Sequence, residues 1–121
     1  MKSLLGLTAL LGGLGVILGA LGAHALKNVL SAEQLASFKT GVLYQMMHVL
    51  AILGVASLSQ LDESQKVRVI QLFLAGMVLF SGSIYLLVLT GITTKWIALL
   101  TPFGGLLFIA GWFMLAYYLF R

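Results

Sequence analysis

Four long stretches of this chain carry no Lys, Arg, Asp or Glu, and no other feature limits so strongly what it can fold into. They are Leu4–Leu26, Thr40–Leu58, Val69–Thr90 and Trp96–Leu119, and every such charge lies between them or at a terminus. A bilayer's hydrocarbon core, about 30 Å thick, needs about 20 apolar residues per helix, and each stretch is long enough. A water-exposed domain of ordinary composition has roughly 25% charged residues. This chain has 8%, with seven Lys and Arg and three Asp and Glu among 121 residues, so lipid must solvate it. The expectation is one transmembrane domain over residues 1–121. Its fold class is all-α: an integral membrane four-helix bundle with a short interfacial or extended helix in the first loop.

The net charge of +4 does not point to nucleic acid, because Lys2, Lys27, Lys39, Lys66, Arg68, Lys95 and Arg121 are scattered between apolar runs. They read as interface anchors. Cysteine is absent, which removes disulfides, thiolate metal sites and a cysteine nucleophile. Ala23-His24-Ala25 resembles a signal-peptidase site, but the apolar run before it exceeds the roughly 7–15 residues of a signal h-region. Gly15, Gly19 and Ala23, spaced four apart, let helices approach closely in lipid, so a retained span is expected. Gly82, Gly104 and Gly111 are further helix-packing positions.

The connections have their own signals. Ser31-Ala32-Glu33-Gln34 fits a capping box, flanked by Leu30 and Leu35 as a hydrophobic staple. Asp62-Glu63-Ser64-Gln65 is a second cap, opening the third helix. Thr101-Pro102 interrupts the fourth span. Either Thr101 is an N-cap with Pro102 at the first helical position, or the helix continues with a kink near Ala98. With four spans, both termini share one side. Lys2, Lys66, Arg68 and Arg121 on that side, against Lys27, Lys39 and Lys95 on the other, favour cytoplasmic termini.

This topology gathers the polar residues. His24, Tyr44, Gln45, His48, Ser81, Ser83, Tyr85, Thr90 and Thr101 all fall in the half of the bilayer away from the termini, with Thr8 and Gln71 the main exceptions. Tyr44, Gln45 and His48 share one face of the second helix by i,i+3 and i,i+4 spacing. Ser81 and Tyr85 stack likewise on the third, continuing Gln71, Val78 and Gly82. Polar groups in hydrocarbon are costly unless partnered, so these faces should turn inward.

Such a cluster can be interhelical glue, contributing about 0.6 kcal/mol per hydrogen bond, or the wall of a site. Two histidines without a carboxylate or thiolate fall short of the three or four ligands a zinc site requires, so no metal and no cofactor is expected. A Ser81–His48 or Ser83–His48 dyad has neither a third group nor a Gly-x-Ser-x-Gly setting, and an enzyme is not expected. Proton-coupled transport usually places Asp or Glu inside the membrane. Here Glu33, Asp62 and Glu63 are outside the spans. Met46, Met47, Met77 and Met114 read as packing rather than a copper path. Trp96 and Tyr117-Tyr118 sit at span ends as aromatic belts do, and Trp112 lies deeper, as a packing residue.

Gly22-Ala23-His24-Ala25-Leu26, the run Thr40–His48, Phe80-Ser81-Gly82-Ser83-Ile84-Tyr85-Leu86-Leu87, and Thr101-Pro102-Phe103-Gly104-Gly105 through Gly111-Trp112 occur together and in this order. In these motifs the chain resembles the small four-span proteins of the domain of unknown function 423 family, which include the eukaryotic transmembrane protein 256. The resemblance spans almost the whole chain. It implies a compact four-helix integral membrane protein, in bacteria of the inner membrane, and no assigned activity. The short Lys2 start fits a bacterial member.

The function expected from these observations is non-enzymatic. A pocket in one half of the membrane would bind a lipid, a hydrophobic small molecule or a partner helix, with His24, Tyr44, Gln45, His48, Ser81, Tyr85 and Thr101 as contacts. An oligomeric transporter or channel is the alternative, and an intramembrane enzyme ranks third. Membrane lipids, further copies of the chain or another membrane protein are the expected partners.

Overall fold

The computed structural model describes residues 1–92 and 94–121, and every regular element among them is helical. Four helices are long and apolar enough to cross a membrane: α1 (Lys2–Ala23), α2 (Ala32–Ala56), α3 (Glu63–Leu89) and α4 (Lys95–Phe120). A single 3-10 turn, Leu26–Asn28, lies between α1 and α2.

The first loop contains no separate interfacial helix. Ser31 caps α2 directly: its hydroxyl accepts from the Gln34 amide at 3.1 Å, and the Gln34 side chain accepts from the Ser31 amide at 3.0 Å. The 25 residues that follow are continuous and reach about 38 Å at 1.5 Å per residue. The start of α2, with Glu33, Gln34 and Lys39, therefore extends beyond the hydrocarbon.

Asp62 and Gln65 repeat the capping box at α3, with bonds of 2.9 and 3.0 Å. The Lys66 ammonium then donates to the Ala56 carbonyl at 3.0 Å. A cation thus sits at the negative end of α2 and satisfies one of its orphan carbonyls. Past the end of α3, Gly91 takes a φ of 71°, the left-handed position that ends many helices and that only glycine adopts freely.

Of the two readings of Pro102, the continuous helix is the one observed. α4 starts from Thr94 and passes through Pro102. The proline costs one backbone bond, to the Ala98 carbonyl, which membrane helices tolerate.

Helix α1 packs on α2, α2 on α3, and α3 most extensively on α4. Glycines lie in all three of these contacts, with Gly41 of α2 against Tyr85 and Ile84 of α3. Along α1, a Cβ on Gly12 would touch Val49, one on Gly15 would meet Met46 and Gln45, one on Gly19 would touch Val42, and one on Gly22 would strike Phe38. This is an antiparallel stripe that repeats with the turn of the helix. Ala23 does not belong to it: one residue past Gly22 is a rotation of about 100°, and Ala23 is exposed. Between α3 and α4, a Cβ on Gly104 would come within 2.7 Å of the Phe80 Cα and 2.8 Å of the Gly76 carbonyl. Gly111 lies against the ring of Phe73, where a Cβ would come within 2.6 Å. Gly82 has nothing near it and is not a packing glycine. Phe38, Ile52, Val69, Ile70 and Phe73 are completely enclosed by these contacts.

Gly104→Ala should destabilise strongly, by about 1–3 kcal/mol or more as an overpacked contact, because backbone cannot move aside. Gly82→Ala should change the thermal midpoint in detergent little; a Gly104→Ala midpoint equal to wild type would refute the close crossing. Asp62 gives a second test. Acceptance from the Gln65 amide, then from the Ser64 hydroxyl, holds its carboxyl below the ordinary range. Its contribution is complete above that range and lost as pH falls through the lower, folded value. Asp62→Asn keeps the cap and should remove that acid-side loss, which thermal unfolding against pH would show.

Candidate functional site

Helix α2 carries the polar residues that meet the other three helices. Gln45, 2% exposed, lies where the bare Gly15 surface lets α1 come close. Its amide nitrogen donates to the Leu11 carbonyl of α1 at 2.7 Å, and its oxygen accepts from the Tyr85 hydroxyl of α3 at 2.6 Å. One turn earlier, Ser81 of α3 donates to the Gly41 carbonyl at 2.7 Å.

His48, also 2% exposed, joins α2 to α4. Its ring stacks on Phe108 with centroids 3.7 Å apart and planes 9° from parallel. The edge of Phe73 closes another side at 5.1 Å. The Trp112 indole N–H donates to His48 Nε2 at 3.1 Å. Indole is a donor only, so Nε2 must carry the lone pair. The proton is therefore on Nδ1, which donates to the Tyr44 carbonyl at 2.8 Å. Neutral imidazole in this one tautomer satisfies both bonds. Tyr44 packs its ring on Phe80 at 4.8 Å.

Thr101 of α4 lies beside Ser83 of α3. Ser83 donates to the Phe80 carbonyl, which leaves its oxygen to accept from the Thr101 hydroxyl. No buried side-chain nitrogen or oxygen among the described residues lacks a partner.

The structure thus bonds Gln45 to Tyr85, with Ser81 one turn away bonded to the Gly41 carbonyl, and brings Tyr44 and His48 into an aromatic group, with Thr101 paired separately to Ser83. His24 stands apart: it is exposed at the C-terminal end of α1. Gln71 and Val78 are exposed, so the buried face of α3 is that of Phe73, Met77, Ser81 and Ile84 rather than a continuation through Gln71. Neither serine bonds to His48. Trp112, read from sequence as packing, is a hydrogen-bond partner as well, and its 42% exposure leaves the rest of the indole toward lipid. A tryptophan deep in a span, away from the interfacial belts, is the signal that could have marked it.

Two clefts flank these groups. One, of about 400 Å³, opens between α2, α3 and α4 beside Ser37, Thr40, Phe80, Ile84, Leu87 and Thr101. The other, of about 190 Å³, separates α1 from α3 above Gln45 and Tyr85. In the second the polar atoms turn onto one another, so its walls are hydrocarbon.

Residues 18–105 match the family described as "Protein of unknown function (DUF423)". The chain belongs to that family. It is 44% identical over 112 residues to a UPF0382 membrane protein of Haemophilus influenzae, covering 92% of this chain and 88% of that one. A UPF0382 membrane protein of Staphylococcus saprophyticus is 43% identical over 115 residues, with 95% and 94% covered. The UPF0382 inner membrane protein YgdD of Escherichia coli is 45% identical over 105 residues, with 86% and 79% covered. No solved structure matches the chain. This DUF423 member is a small polytopic membrane protein, and the matched region holds Gln45, His48, Ser81, Tyr85 and Thr101 but ends before Trp112.

Substitutions should separate the contributions at His48. Trp112→Phe removes one interhelical hydrogen bond and should cost about 0.6 kcal/mol, up to about 1.7. His48→Ala also empties the stack on Phe108 and should cost at least about 2 kcal/mol, as large-to-small core changes do. Thermal unfolding in detergent measures both; equal losses would mean that the stack contributes nothing.

Proposed function

We propose that this DUF423 protein is a non-enzymatic membrane protein that holds a lipid chain or a hydrophobic small molecule in the cleft between α2, α3 and α4. The observation that carries this reading is the cleft itself. Its volume of about 400 Å³ falls in the roughly 300–1,000 Å³ range of small-molecule sites. Phe80, Ile84, Leu87 and Val88 give it apolar walls, and Ser37, Thr40 and Thr101 place hydroxyls around them. Thr40 donates to the Ala36 carbonyl and Thr101 to Ser83, so their remaining lone pairs offer acceptors to a ligand's polar end.

Pairing within the chain supports binding over transport. Gln45, His48, Ser81 and Tyr85 have their polar atoms engaged inside the fold, which suits a rigid scaffold beside a cleft better than a hydrated path. Of the contacts expected from sequence, Thr101 is the one that lines this cleft; Tyr44, Gln45, His48, Ser81 and Tyr85 support its frame, and His24 does not. The family relatives named as inner membrane proteins favour the bacterial plasma membrane. The distribution of Lys and Arg favours cytoplasmic termini.

Native mass spectrometry of protein extracted in mild detergent tests the reading. Wild type should carry a discrete lipid or small-molecule adduct. Leu87→Trp, which fills the cleft, should reduce its occupancy several-fold, whereas Trp112→Phe should retain it. A bare wild-type protein, or an adduct indifferent to Leu87→Trp, would refute this assignment.

A further inference from the structure

On the side of the termini, where α3 enters the apolar layer, Arg68 and Gln71 lie at i,i+3 on the helix surface. Both are exposed, and with Leu72 and Met114 they line a groove of about 300 Å³ between α3 and α4. The Arg68 guanidinium donates to the Tyr118 hydroxyl at 3.3 Å through one of its nitrogens. Next along α4, the Arg121 guanidinium sits over the Tyr117 ring at 5.4 Å. The neighbouring cation Lys66 is already engaged on the Ala56 carbonyl.

Gln71 is the unusual member. It belongs to the uncharged run Val69–Thr90, and among the described residues nothing hydrogen-bonds its amide. An amide facing lipid is costly unless it finds a partner. Three residues along a helix set Gln71 about 4.5 Å deeper than Arg68. A diacyl phospholipid has the same order of polar groups: a phosphate outermost, ester carbonyls a few ångströms below it, then the acyl chains.

We propose that this groove is a headgroup site for an anionic phospholipid. Arg68 holds the phosphate, Gln71 donates to an ester carbonyl, and one acyl chain lies along Leu72 and Met114. The charge at this rim selects among headgroups. Arg68 attracts a phosphate that bears no compensating ammonium and repels the choline of a zwitterionic lipid, an effect that the nearby Asp62 carboxylate reduces and the Arg121 guanidinium, farther along the same end, adds to. The site is separate from the α2–α3–α4 cleft and does not depend on what that cleft holds.

The test is native mass spectrometry of the detergent-extracted chain titrated with phosphatidylglycerol or with phosphatidylcholine of the same acyl chains. Wild type should favour phosphatidylglycerol by about fivefold or more, the effect of about one basic residue at an anionic lipid surface. Arg68→Gln should abolish the preference, Arg68→Lys should keep most of it, and Gln71→Leu should weaken both lipids alike. Leu87→Trp should leave the phosphatidylglycerol adduct in place, and excess inorganic phosphate should not displace it. Equal binding of the two lipids, or a preference that survives Arg68→Gln, would overturn the proposal. Loss of the adduct in Leu87→Trp would place the lipid in the other cleft, and displacement by phosphate would make the groove a free-anion site; either result also overturns it.

Discussion

The amide of Gln45 is the point on which the arrangement of the first three helices turns. A glutamine in hydrocarbon is tolerable when both ends of its amide are engaged, and here the partners lie on two different helices. That requirement fixes several other residues. Gly15 must be bare for the α1 backbone to come within reach. Tyr85 must stand at the level where its hydroxyl meets the Gln45 oxygen, and Ser81, one turn away on the same face, then reaches the Gly41 carbonyl. The glycines of α1 supply proximity and Gln45 supplies register. In lipid, where apolar side chains gain little by leaving the solvent, close packing and such polar bonds are what hold helices together.

Helix α4 is joined by different means. Its close crossing with α3 rests on Gly76, Gly104 and Gly111, and its link to α2 on the His48 ring between Phe108 and Phe73. The tautomer imposed by Trp112 gives His48 a structural part. Each ring nitrogen is occupied, so protonation, metal ligation or action as a base would first require release of the indole. The same holds in milder form for Ser81 and Ser83, whose protons point to backbone carbonyls.

Much of this was legible in the sequence, because lipid imposes long uncharged runs and because capping boxes are local. The four helices, the caps at Ser31 and Asp62, and the shared face of Gln45 and His48 follow from spacing alone. What was not legible depends on azimuth between helices. Gly15 and Gly19 pack while Ala23 does not, since a four-residue repeat drifts around the helix and the contact follows Gly12, Gly15, Gly19 and Gly22 instead. Gly82 has the right residue type and faces open space. His24 lies past Gly22, which is level with Phe38 rather than with Gln45, and its position at the exposed end of α1 keeps it out of the polar cluster. Pro102 left two outcomes open, and the helix runs on through it.

The placement of the polar atoms also constrains what kind of ligand the chain can recognise. A hydrogen-bonding group already engaged inside the fold can discriminate a ligand only by giving up a partner, which in a low-dielectric interior leaves a costly unpaired group. Recognition is therefore better supported at surfaces that the internal bonds leave uncommitted. Those are the apolar clefts beside the helices, the hydroxyls around the α2–α3–α4 cleft, and the interfacial cations. In the proposed reading, such surfaces recognise chain shape and headgroup charge rather than a dense pattern of donors and acceptors. The proposal of amphiphilic ligands rests on this division: polar residues turn inward for assembly while apolar grooves and charged rims turn outward, and an amphiphile's own polar and apolar parts divide in the same way.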